Sequence, residues 1–433
     1  MIIVDSALAR RLDQNNPVRV AMVGAGYMAR GIALQILTAM PGLRLVAIAN
    51  RTVANAERAY RDAGVQDFER VSNQAQMEKA ISQGRYAVTD DPTLLTRAGQ
   101  VEAIIETTGE IEYGANVALD AITHGKHLIL MNAEVDSSVG PILKVHADRV
   151  GVVYTYTDGD EPGVAMNLFR FVDSMGYKPV LMGQIKGFLN RYRNPDTQQA
   201  FAEKHQQKAA MVASFADGSK LAIESAIIGN ATGFVPGTRG MYGHECAHVK
   251  DLLTKFKVED FANGGLVDFV LGAEPHTGAF VMGFNDHPIK KKYMSYFKFG
   301  DGPLYMFYTP YHLPHMQLPH TVARAVLFKD PTLTPRGAPV CDTVSMAKRD
   351  LKAGEMLDGM GGFTCYGLVD SYANCRRNDD LPIALSVGCR LKRDITKDQP
   401  ISYRDVDLPV GRLSDRLRTE QTDYFGTGLK AAA

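Results

Sequence analysis

Three carboxylates stand within four residues at Asp158-Gly159-Asp160-Glu161, just after the apolar run Val152-Val153-Tyr154-Thr155-Tyr156. Hard cations such as Mg²⁺ or Mn²⁺ take oxygen ligands of this kind. An ion there would chelate a carbonyl and a neighbouring hydroxyl and stabilise an alkoxide. The plainer reading is a solvated acidic turn whose Asp caps a helix from Val164. Lys186 ends a second apolar run, Val180 to Ile185, where a lysine can protonate or polarise a carbonyl. Asn190, Arg191 and Arg193 follow it and suit a phosphate or carboxylate, or else form a solvated basic loop. Glu224 is a lone acid in the apolar helical run from Ala222 to Ile228. It needs a partner, either a cation or a lysine.

The expected catalytic set is therefore Lys186, Asp158, Asp160 and Glu224, with Asp158, Asp160, Glu161 and Glu224 as the metal ligands. Asn190, Arg191, Arg193, Asn230, Tyr311 and His312 are the expected substrate contacts. His312, His315 and His320 are spaced for a metal, but the prolines between them argue against a regular helix and for a substrate-facing loop or packing histidines. His244-Glu245-Cys246-Ala247-His248 has the form of a zinc-protease motif. Pro236, Gly237, Gly240 and Gly243 crowd the approach to it, so the helix that motif requires is not expected.

These groups need a scaffold, and Val20 to Ala33 (VAMVGAGYMARGIA) supplies its first piece. A strand runs into Gly24-Ala25-Gly26-Tyr27-Met28-Ala29 and then into a helix, which is G-x-G-x-x-A in the context that binds dinucleotides. Gly24 makes the turn, Gly26 admits a pyrophosphate, and the helix N-terminus faces the phosphates. At the end of the second strand, Leu43 to Ala49, stands Asn50-Arg51-Thr52 rather than an acid. An amide, a guanidinium and a hydroxyl suit a 2′-phosphate, so NADPH is expected over NADH. The strand from Val101 to Glu106 delivers Thr107, Thr108 and Gly109 to the nicotinamide ribose. The strand from His127 to Met131 delivers Asn132 and Glu134, with the next helix expected from Pro141. Strand and helix alternate through residues 19–156, as in one doubly wound parallel sheet.

A chain of 433 residues with 48 basic and 48 acidic side chains is long enough for two or three domains. The balance of charge points to neither nucleic acid nor an anionic membrane as the main partner. No apolar run approaches the length of a membrane span. The N-terminus lacks the marks of a signal peptide. Five cysteines with no C-x-x-C spacing fit a reduced, cytoplasmic protein. The expected class is α/β, in three parts: residues 1–157 a Rossmann domain, 158–335 an α+β catalytic and dimerisation domain, and 336–433 a small mostly-β domain. Leu429-Lys430-Ala431-Ala432-Ala433 reads as a frayed end.

The segments Arg349 to Leu357, Arg393-Asp394-Ile395 and Tyr403-Arg404-Asp405-Val406 resemble a SAF domain of the antifreeze and sialic-acid-synthase type. Together with GAGYMARG, NRT, NAEVD, YTDGDEPG and Lys186-Gly187, they make nearly the whole chain resemble the homoserine-dehydrogenase-like proteins. These include the 1-deoxy-D-xylulose-5-phosphate reductoisomerase-like enzymes. The resemblance implies NADPH, a divalent cation, a homodimer and a small phosphorylated hydroxy-carbonyl substrate, with isoprenoid synthesis as the setting. The loop is GAGYMA rather than serine/threonine-rich, and the chain has no Trp for a tryptophan-bearing lid. Two alternatives stand beside this reading. One is a metal-independent dehydrogenase of the homoserine type, and the other is a nucleotide-sensing protein without catalysis.

Overall fold

The computed structural model describes residues 3–428; the expected frayed end at 429–433 lies outside them. The chain opens with α1 (Val4–Asp13), β1 (Val18–Val23), α2 (Tyr27–Ala39), β2 (Leu43–Ala49), α3 (Val53–Asp62), β3 (Phe68–Arg70) and α4 (Gln74–Ser82). It continues through β4 (Tyr86–Thr89), α5 (Thr93–Thr96), β5 (Ala103–Glu106), α6 (Ile111–Thr123), β6 (His127–Leu130), α7 (Ala133–Val150) and β7 (Tyr154–Tyr156). Next come α8 (Glu161–Ser174), β8 (Lys178–Lys186), α9 (Pro195–Lys204), α10 (Ala209–Asp217), α11 (Ser219–Thr232), β9 (His244–Glu245), β10 (Leu266–Leu271) and β11 (Ala279–Phe284). The rest is α12 (Pro288–Tyr296), β12 (Leu304–Thr309), α13 (Pro314–Phe328), β13 (Cys341–Ala347), β14 (Cys365–Ser371), α14 (Tyr372–Asn378), β15 (Arg390–Leu391), β16 (Val406–Asp407) and α15 (Leu413–Gly428).

These elements pack as two units. The first holds the residues up to Asp160, Leu313–Thr334 and the segment from Arg412; the second holds Glu161–His312 and Pro335–Gly411. They are not the three consecutive parts expected from the sequence. The β13–β14 hairpin packs on α11 and so joins the second unit, while α13 and α15 return to the first.

The first unit is a parallel sheet in the order β3-β4-β2-β1-β5-β6-β7. Its central strands β1, β2, β5 and β6 are near-continuous apolar runs, as a sheet covered on both faces requires. Strand order reverses at β1, which lies between β2 and β5. The carboxyl ends of these strands are where such sheets bind nucleotides.

The helix after β6 starts at Ala133, not at Pro141. Asn132 is its N-cap, accepting the Val135 N–H at 3.2 Å, so Asn132 to Asp136 belong to a helix start rather than to a strand end. Pro141 lies inside α7, where it removes a ladder bond. Side chains of α15 take up the neighbouring backbone groups. Gln421 accepts the Ile142 N–H at 3.2 Å, and Arg418 donates to the Ser138 carbonyl at 3.0 Å. Likewise α13 begins at Pro314, a position that loses nothing by lacking an N–H. Pro319 is buried inside it, so the stretch holding His315 and His320 is helical after all.

In the second unit the sheet order is β12-β11-β8-β10-β9, with β8 parallel to β10 and antiparallel to β11. Helices α8 and α11 pack on this sheet. An apolar cluster of Val180, Leu181, Ile185, Val249, Leu252, Val270 and Phe280 forms a core beside it. His244 and Glu245 lie in β9, and His248 caps a 3-10 turn, so the H-E-x-x-H residues do not share a helix. The SAF-like segments meet one another: Leu351 bridges Ile395, Lys352 pairs with Asp394 at 2.8 Å, and Arg393 pairs with Asp405 at 2.5 Å. Gln421→Leu should lower the unfolding free energy by about 1–3 kcal/mol in urea denaturation, because it strands buried backbone groups of α7.

Candidate active site

In the first unit, Gly24 has φ +111°, and a Cβ there would strike the Thr107 hydroxyl. A Cβ on Gly26 would meet nothing within 4 Å. Gly26 is also the N-cap of α2, and no side chain caps that helix. Its first N–H groups therefore lack intrahelical partners and present a positive dipole end. Ala25 is buried and Tyr27 exposed; Met28 lies in the first turn of the helix. The loop fits a dinucleotide pyrophosphate.

At the end of β2, Asn50 donates to the Thr52 carbonyl at 2.9 Å, and Arg51 pairs with Glu110 at 2.8 Å on the surface. At the end of β5, the Thr107 hydroxyl donates to the Val23 carbonyl at 3.0 Å, fixing the β1–β5 crevice. Gly109 has φ +66° and turns the chain there. Asn132 donates to the Glu110 carbonyl at 3.2 Å, and Glu134 is buried in the first turn of α7. Residues from three strand ends thus gather by the glycine loop.

Sequence reasoning missed Glu106 in this crevice. It is fully buried, and its Oε1 accepts the Thr108 N–H at 2.8 Å. Burial pushes its pKa up to about 7, against the hydrogen bonds from Thr108 and Asn132. Burial also pushes Asp136 up to about 7 beside the Tyr154 hydroxyl.

Asp158 and Asp160 end the first unit. Asp158 accepts the Gly159 N–H at 2.7 Å and donates its own N–H to Thr321 at 2.8 Å. Asp160 accepts from the Tyr156 hydroxyl.

Glu161 opens the second unit in the first turn of α8, where the expected helix began only at Val164. Its Oε1 lies 2.7 Å from Lys186 Nζ, and Glu224 Oε2 lies 3.9 Å from the same nitrogen. Glu224 Oε1 is 3.7 Å from Lys220, one turn earlier on α11. His312 Nδ1 sits 3.3 Å from Glu161 Oε2. The order His312–Glu161–Lys186–Glu224–Lys220 is a row of alternating partners in which Glu161, Glu224 and Lys220 are buried and Lys186 and His312 half-buried. Burial would raise Glu161, but Lys186 and then His312 outweigh it and hold the carboxyl well below the usual range.

Of the four acids named as metal ligands, then, Glu161 and Glu224 already face ammonium groups. Lys220 went unnoticed in the sequence, though its spacing of four residues from Glu224 was the available signal.

The expected substrate residues are dispersed. Asn190 accepts the Tyr192 N–H at 3.1 Å, Arg191 lies 5.8 Å over Tyr366, and Arg193 lies 5.3 Å over Phe188. Asn230 accepts the Val340 and Cys341 N–H groups at 2.8 and 3.0 Å and so anchors β13 to α11. Tyr311 is exposed.

A parallel nucleotide-binding sheet with this loop, and a lysine clamped by carboxylates, define an NAD(P)-dependent oxidoreductase. Comparison with known proteins agrees. Residues 18–130 match the model of an oxidoreductase family with an NAD-binding Rossmann fold, of Gfo/Idh/MocA type. Residues 159–318 match the catalytic domain of oxidoreductase DRL. No curated protein matches the chain. Among solved structures, a probable dehydrogenase from Thermotoga maritima is similar at 10% identity and TM-score 0.41, over 74% of this chain and 91% of that one. The 3-ketoreductase KijD10 from Actinomadura kijaniata is similar at 16% identity and TM-score 0.37, over 72% and 90%. An NAD-binding oxidoreductase from Klebsiella pneumoniae is similar at 19% identity and TM-score 0.28, over 40% of this chain and only 43% of that one.

Glu106 gives a pH test. Its folded pKa is raised from 4.5 to about 7, so its contribution to stability is complete below pH 4.5 and is lost as pH rises through 7. Glu106→Gln should recover up to about 3 kcal/mol at pH 8 relative to pH 4, measured as unfolding free energy against pH.

Proposed function

We propose that the protein is an NADPH-dependent reductase of a small hydroxy-carbonyl compound and that Lys186 is its proton donor. The observation that carries this is the 2.7 Å contact between Lys186 Nζ and Glu161, with Glu224 on the other side of the same nitrogen. When bound, the cofactor supplies a hydride to the carbonyl carbon. Lys186 gives its proton to the oxygen as negative charge develops there, and Glu161 and Glu224 hold the ammonium in place. Lys220 balances Glu224, which keeps Lys186 from being over-stabilised as a cation by two carboxylates. Arg51 and Thr52 are proposed to receive the 2′-phosphate, and Asn132 and Thr108 the nicotinamide ribose.

The lysine–carboxylate arrangement favours metal-independent chemistry of the homoserine-dehydrogenase type. The narrower reading is conversion of 1-deoxy-D-xylulose 5-phosphate to 2-C-methyl-D-erythritol 4-phosphate. It is supported by the sequence resemblance and by the DRL match over residues 159–318. In that reading Asp158 and Asp160 would join Glu161 in holding Mg²⁺ or Mn²⁺, and Lys186 would have to yield its place. The SAF character of residues 336–433, a homodimeric state and a cytoplasmic setting remain parts of the proposal. Five free cysteines are consistent with a reducing compartment.

An NADPH-oxidation screen over aldehydes and ketose phosphates, led by 1-deoxy-D-xylulose 5-phosphate and run with and without EDTA, tests these readings. With the substrate so found, Lys186→Met should lower kcat about 10²- to 10⁴-fold and leave NADPH affinity unchanged. Turnover should survive EDTA. Activity lost to EDTA and restored by Mg²⁺ would favour the reductoisomerase reading, and unchanged kcat in Lys186→Met would refute the proton-donor role.

A further inference from the structure

Helix α12 has no buried residue, although Ile289, Tyr293, Met294 and Tyr296 make up nearly half of it. Ile289, Tyr293, Tyr296 and Phe297 recur at helical spacing and share one face. That face is turned outward: Tyr296 is 76% and Phe297 63% exposed, and Phe299 extends the patch. Four lysines, Lys290, Lys291, Lys292 and Lys298, stand in the same stretch, and no acid occurs between Asp286 and Asp301. Lys290 is committed, donating to the Met175 carbonyl at 3.1 Å and lying 5.2 Å over Tyr177. Among the described residues, Lys291, Lys292 and Lys298 have no carboxylate partner.

The patch is remote from the chemistry. It follows β11 at Phe284, which pairs with Lys178, the opposite end of β8 from Lys186. Those ends are about 26 Å apart at roughly 3.3 Å per residue. A lid over the catalytic row is therefore not its role.

We infer that α12 and the segment to Phe299 form a docking ridge for an anionic lipid surface. Charge selects the occupant. A second copy related by a two-fold axis would bring the lysines against their own counterparts, whereas acidic headgroups complement them. Shape agrees: a helix standing wholly on the surface is a convex ridge, and a soft planar interface accommodates it without a preformed groove. Exposed aromatic and aliphatic side chains flanked by lysines are what lets a helix lie in the headgroup layer. The inference concerns reversible attachment. Among the described residues no helix is long and apolar enough to cross a membrane. The balanced overall charge gave no hint of this, because it averages over a local cluster.

Co-sedimentation of the full chain with vesicles tests the inference. Vesicles of phosphatidylcholine with phosphatidylserine should bind at least about tenfold more protein than phosphatidylcholine alone, and added salt should release it. Lys291→Glu with Lys292→Glu should cut that binding about tenfold or more, and Tyr293→Ser with Tyr296→Ser should cut it as well. These side chains are surface-exposed or nearly so, so the variants should keep the wild-type Tm and NADPH binding. Equal binding to the two vesicle types, or variants that bind as wild type does, would overturn it. So would self-association in sedimentation velocity that the tyrosine variants abolish while vesicles leave the protein unbound. Tighter binding to a single-stranded oligonucleotide than to the acidic vesicles would overturn it too.

Discussion

The second unit depends on one constraint: the Lys186 ammonium must stay paired with two buried glutamates. Glu161 and Glu224 do this from two different helices, α8 and α11, which pack on the sheet that carries Lys186. Buried charges are costly unless paired, and removing one partner leaves the other uncompensated. The row therefore ties three elements together. The first residue of α8, the last residue of β8 and the middle of α11 have to stay in register, or a charge is stranded. Lys220 and His312 extend the same logic by giving each glutamate a second neighbour.

The first unit solves a different problem. A nucleotide phosphate needs free N–H groups and room for a close backbone approach, so the α2 N-terminus is left without a side-chain cap. Thr107 then locks β5 to β1 beneath the loop. Around this crevice the chain buries the carboxyls of Glu106 and Asp136, which the fold favours in their protonated forms.

Much of this was legible in the sequence. β2 came out residue for residue, because a doubly covered parallel strand writes itself as an apolar run. Lys186 was recognisable as a strand-end lysine, and Glu224 as an acid that needed a partner. What escaped was tertiary. Local sequence cannot show that Gln421 and Arg418 would support the backbone around Pro141, so the start of α7 was misplaced. Three acids close in sequence suggested one ion site; that Glu161 also begins a helix and pairs with Lys186 was not visible there. Asn230 looked like a substrate amide, yet its oxygen is spent on the β13 backbone. Short or irregular pieces such as β3, α9 and α10 carried no clear period.

Energetic coupling between Glu161 and Lys186 holds the second unit's charged row together. A double-mutant cycle in unfolding free energy, with Glu161→Gln, Lys186→Met and the double variant, measures it without any substrate. The predicted result is a coupling of about 1–3 kcal/mol, with the double variant more stable than the sum of the single changes allows. Additive effects would mean that the two side chains do not hold one another, and would contradict the account.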